Sequence, residues 1–99
     1  MTDPREHLLK MQRGFKKRQT KLTREIQKCN DDLDEIWKAA GEWLARDEEW
    51  KESDEGKAEL NKNVADEQDM ISERSVLEEK LKVAEQRLRD IDDALKAFP

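Results

Sequence analysis

The chain has 99 residues, 34 % apolar and 45 % charged, with a formal net charge of −5. That is room for one domain, spanning 1–99, but too few apolar residues for a compact single-core globule, which runs near half apolar. Disorder is a poor fit as well, because the charges are mixed and the apolar residues recur at a helical period.

The first predicted element is a helix over about 4–52. Asp3 can cap it, Pro4 sits where its missing N–H does no harm, and Glu6 completes a capping-box spacing. Leu8, Phe15, Leu22, Cys29, Ile36, Trp43 and Trp50 occupy the d positions of a heptad. Gln12, Gln19, Ile26, Leu33, Ala40 and Asp47 occupy a. The 3–4 spacing runs without a skip, as a partner helix packed knobs-into-holes requires. The stretch "MTDPREHLLKMQ" that opens it has no apolar signal core, and no segment approaches the roughly 18 apolar residues of a membrane span. An intracellular, cytoplasmic protein without membrane contact is expected.

The outer face of this helix changes sign. Lys10, Arg13, Lys17, Lys21, Arg24 and Lys28 draw one basic stripe, uninterrupted by acid, whereas Asp34, Glu35, Glu42, Glu48, Glu49 and Glu52 follow it. Residues 1–30 carry nine bases and three acids; residues 31–60 carry four bases and twelve acids. A rod with a basic open end and an acidic turn end is expected.

"KESDEGK" breaks the repeat, and a turn is predicted over 53–56 with Gly56 free to take positive φ. The second predicted helix, about 57–98, carries Met70, Leu77, Ala84, Ile91 and Phe98 at d. Its a positions are Leu60, Glu67, Arg74, Leu81, Leu88 and Leu95. A capping spacing at Ser72 or Ser75 leaves a break there open. Centring the turn on Glu55 makes opposed positions sum to 110. It pairs Leu22 with Leu88 and Cys29 with Leu81, and gives four flanking charge pairs of opposite sign (Glu25/Arg87, Asp32/Lys80, Arg46/Asp66, Lys16/Asp92). The fold class is therefore all-α, a long antiparallel helical hairpin of coiled-coil type with the capacity to dimerise into a four-helix bundle.

The turn-proximal third presents more apolar surface than a two-helix seam covers. Trp37, Trp43 and Leu44 on the first helix, with Val64, Met70 and Ile71 on the second, form the expected partner interface. The expected function is a non-enzymatic interaction or assembly module, with a protein partner or a second copy as its occupant. The alternative is binding to a nucleic-acid backbone through the basic stripe. No catalytic, cofactor or metal site is expected. His7 lies in a first helical turn, Cys29 lies in the seam as a small buried thiol, and no Gly-rich phosphate loop, Cys-x-x-Cys pair or nucleophile motif occurs.

Overall fold

The computed structural model describes residues 3–98. The order is α1 (Pro4–Leu44), α2 (Glu48–Glu52) and α3 (Asp54–Leu95). No strand occurs among the described residues. The protein is an all-α helical hairpin.

The start of α1 is the expected one. The Asp3 carboxylate accepts from the Arg5 N–H at 3.0 Å and the Asp3 carbonyl from the His7 N–H at 3.1 Å. Its end is eight residues earlier than the heptad predicts, at Leu44 rather than 52. Two short polar side chains take over there. Asp47 caps α2 by accepting from the Trp50 N–H at 2.8 Å. Ser53 closes α2, its N–H bonding the Trp50 carbonyl at 3.0 Å, and opens α3, its hydroxyl oxygen accepting from the Gly56 N–H at 3.1 Å. Lys51 reaches back to the Leu44 carbonyl at 3.2 Å, satisfying one of the acceptors that a helix C-terminus leaves open.

The turn expected over 53–56 is therefore mostly helix, and α3 begins at Asp54 instead of 57. It runs unbroken through Ser72 and Ser75 and ends at Leu95, three residues short of the expected limit. The Phe98 N–H closes a tight turn on the Leu95 carbonyl at 3.0 Å.

Two packing units divide the chain. One holds the residues up to Ile26 together with those from Val76 onward; the other holds Gln27–Ser75. In each, a segment of α1 packs antiparallel on a segment of α3. Leu22, Leu77, Ala84 and Ile91 are the buried residues of the first unit, Cys29, Leu33 and Gly56 those of the second. Every a and d position from Leu8 to Trp43 and from Leu60 to Leu95 is buried or half-buried, as the repeat requires.

The register differs from the one the charges select. In the first unit, Gln12 donates to Asp92 at 2.7 Å, and Phe15 lines a groove with Val83 and Ala84. In the second, Arg74 donates to Asn30 at 2.9 Å and Trp37 to Glu67 at 3.2 Å. A sum of 110 would have opposed Gln12 to Phe98, Asn30 to Lys80 and Trp37 to Glu73. Each observed partner lies six residues earlier, so the seam has moved by about one heptad, and Leu22 faces the neighbourhood of Lys80 and not Leu88. A whole-heptad shift preserves every a and d contact class. The flanking ion pairs that favoured the other register are worth only a few tenths of a kcal/mol each when exposed. The early end of α1 and the caps at Asp47 and Ser53, each cap worth about 1 kcal/mol, decide the matter.

Candidate docking surface

The tryptophans separate into two roles. Trp43 donates its indole N–H to the Gly56 carbonyl at 2.7 Å, and the Lys51 ammonium sits 5.6 Å from its ring centre. Arg46 stacks on Trp50 with its guanidinium carbon 3.8 Å from the ring centre. Both rings are half-buried and hold the turn together through cation–π contacts and one hydrogen bond. Gly56 is buried beneath them. It has no positive φ, contrary to the expectation from its sequence context. Its glycine identity answers a need for space. A Cβ there would overlap the Trp50 carbonyl oxygen and come within 2.9 Å of the Lys51 Cα.

Trp37 points elsewhere. Its N–H is held by Glu67, yet the residue is 47 % exposed. Leu44 (65 %), Val64 (46 %) and Ile71 (38 %) share that exposure. All four stand at e positions of their heptads, on one flank of the second unit. Of the six residues expected at the interface, the structure thus brings Trp37, Leu44, Val64 and Ile71 into one exposed strip. Trp43 is committed to the turn and Met70 is half-buried at its seam position.

The border of the strip was not foreseen. On a helical wheel the b positions lie next to e, and here they include Gly41 on α1 and Asn61, Gln68 and Ser75 on α3, all exposed. A Cβ at Gly41 would meet nothing within 4 Å. Asp34 is the charged b neighbour at the α1 end. In a chain that is 45 % charged, the flank of the strip is largely neutral. Reading b beside e along both helices would have revealed it.

The basic stripe lies in the first unit, apart from Lys28. Lys10, Arg13, Lys17, Lys21, Arg24 and Lys28 are all exposed. Of the six, Lys21 has an acid nearby, Glu25 at 3.9 Å. His7 is exposed in the first turn of α1. Cys29 is 3 % exposed, and burial pushes its thiol above its ordinary pKa, with the carboxylates of Glu73 and Asp32 adding to the effect. Such a thiol stays protonated and is a poor nucleophile at neutral pH. Among the described residues no group of three or more His, Cys, Asp or Glu is placed to hold a metal ion. No helix among them is long and apolar enough to cross a membrane.

Comparison with protein families, with characterised proteins and with solved structures returns no match.

Proposed function

We propose that this chain is a non-enzymatic helical assembly module that pairs with a second copy through the strip of Trp37, Leu44, Val64 and Ile71. The observation that carries the reading is the coincidence of exposed apolar side chains with a neutral border. Scarcity of charge is a compositional mark of an interface core, and tryptophan is favoured there; the acid within the strip, Glu67, has its carboxylate held by the Trp37 N–H. The small Gly41 beside Trp37 and Leu44 lets a partner helix approach closely. Two such strips meeting about a two-fold axis would convert the second unit into a four-helix bundle, each strip covering its own counterpart. The net charge of that unit, seven bases against sixteen acids, opposes pairing, so association should strengthen as salt screens the repulsion.

The test is mass in solution by light scattering across concentration, for the wild type and for Trp37→Ala with Leu44→Ala. A dimer that the double substitution dissolves is expected. A wild type that remains a monomer at about 0.3 mM, a concentration at which even millimolar association is visible, overturns the proposal.

A second reading rests on the exposed cations of the basic stripe, which could follow a phosphate backbone without reading bases. It requires that the wild type retain DNA or RNA at about 50 mM salt and that Lys17→Glu, Lys21→Glu and Arg24→Glu together abolish retention. No retention by the wild type ends that reading.

A further inference from the structure

Beyond the strip, a second surface is built differently. In the first unit a groove of about 510 Å³ runs along α3 beside α1. Its floor is apolar: Phe15 and Ala84 from the seam, Val76 and Val83 from the outer face of α3. Val76 is 55 % exposed and Val83 51 %. They stand seven residues apart, two helical turns or about 10.5 Å. Its rim is cationic, formed by Arg18, Lys80 and Arg87, with Glu79 as the acid among its walls. Among the described residues, none of the three cations has an acid within 4.0 Å. In the adopted register Arg18 and Arg87 occupy facing g positions, where like charges repel.

We infer that this groove is a docking site for an acidic amphipathic helix of another protein. Three features converge on that occupant. A groove between two antiparallel helices accepts a third helix by the same knobs-into-holes packing that forms the seam. Val76 and Val83, two turns apart, match aliphatic residues spaced i, i+3 or i+4, and i+7 on an incoming helix. The flanks of that helix must be anionic to satisfy Arg18, Lys80 and Arg87, and charge complementarity of this kind sets partner choice and orientation. A bare phosphate backbone would satisfy the rim but leave the apolar floor wet. The first unit carries thirteen bases against nine acids, so its field attracts such a helix before contact.

The test uses the full chain and two synthetic peptides of about 18 residues, long enough to hold some helix in water. One carries Leu on a single face with Glu on its flanks; the other keeps the Leu face and replaces each Glu with Lys. Binding is read by fluorescence anisotropy of the labelled peptides and by methyl NMR of the protein. The expected result is binding of the acidic peptide with Kd below about 100 µM and at least about tenfold weaker binding of the basic one. Arg18→Glu with Arg87→Glu, which exchanges one like-charge pair for another and leaves the seam intact, should weaken the acidic peptide by at least about tenfold at unchanged helicity. The shifted methyls should be those of Val76 and Val83. Equal binding of both peptides, or insensitivity to the double reversal, overturns the inference. So does peptide binding that leaves the Val76 and Val83 methyls unmoved. Methyl shifts there that follow the concentration of the chain itself overturn it too, because the occupant would then be a second copy. The strip at Trp37 is a different surface, so Trp37→Ala with Leu44→Ala should leave peptide affinity unchanged.

Discussion

The two units share a heptad pattern and almost nothing else. The first has an aliphatic interior of Leu22, Leu77, Ala84 and Ile91, a basic surface, and a hydrogen bond across its seam, Gln12 to Asp92. The second buries only Cys29, Leu33 and Gly56, is strongly acidic, and ties its helices together with polar contacts: Asn30 to Arg74, Glu67 to Trp37, and Gly56 to Trp43. The contrast separates two tasks. Apolar seams supply driving force but are indifferent to a seven-residue slip, because leucine opposite leucine looks the same in either register. Directional contacts are not indifferent. Each has one partner at one position, and an orphaned Arg74 or indole N–H in a half-buried seam would be costly. The first unit therefore contributes most of the buried aliphatic surface, and the second selects which register that surface adopts.

Glycine gives the strongest way to test this division. Gly14 in the first unit and Gly56 in the second both lie within helices. In an open helix position, Gly→Ala raises stability by roughly 0.5–1 kcal/mol, because alanine loses less backbone freedom on folding. At Gly14 nothing lies within 4 Å of the added Cβ, so Gly14→Ala should show that gain. At Gly56 the added methyl meets the backbone of Trp50 and Lys51, which cannot move aside without breaking the caps at Asp47 and Ser53. Gly56→Ala should therefore destabilise the protein by about 1–3 kcal/mol, the usual cost of overpacking. Chemical denaturation of the two variants against the wild type measures both. Equal and positive changes would mean that the turn is plastic and does not fix the register.

How much of this could be read from the chain is visible at particular residues. The seam positions were legible, since burial follows the heptad at Leu22, Cys29, Leu33, Leu77, Ala84 and Ile91. The N-terminal cap at Asp3 was legible for the same reason: one local motif with one outcome. The register was not. Four complementary pairs suggested a sum of 110, but exposed pairs carry little free energy, and nothing in the apolar repeat could contradict them. The turn was hidden because Asp47 and Ser53 lie in a run of polar residues where each could be read as loop. Asp47-x-x-Trp50 and Ser53-x-x-Gly56 have the capping spacing, and that signal outweighs the continued heptad through Trp50. At the docking strip, Trp37 and Leu44 were legible as surplus apolar surface. Trp43 was not separable from them, because its assignment to the turn depends on a carbonyl thirteen residues away.

The smallest expected effect concerns pH and belongs to the second unit alone. Burial, with Glu73 and Asp32 nearby, raises the pKa of the Cys29 thiol in the folded state above its unfolded value of about 8.5. The native state then holds the proton more tightly than the unfolded chain does. Stability contributed by this difference is fully present below about pH 8.5 and is lost as pH rises through the folded value, since over that window the unfolded state binds fewer protons. The chain has no tyrosine and no second cysteine, so no phenol or other thiol interferes between about pH 8.5 and 9.5. Urea midpoints measured across that interval should fall with pH for the wild type. They should stay flat for Cys29→Ala once its lower overall stability is allowed for. A slope that survives the substitution would place the alkaline sensitivity in another group. The thiol would then be less shielded than its place beside Leu33 implies, and the second unit would owe still more of its order to its polar contacts.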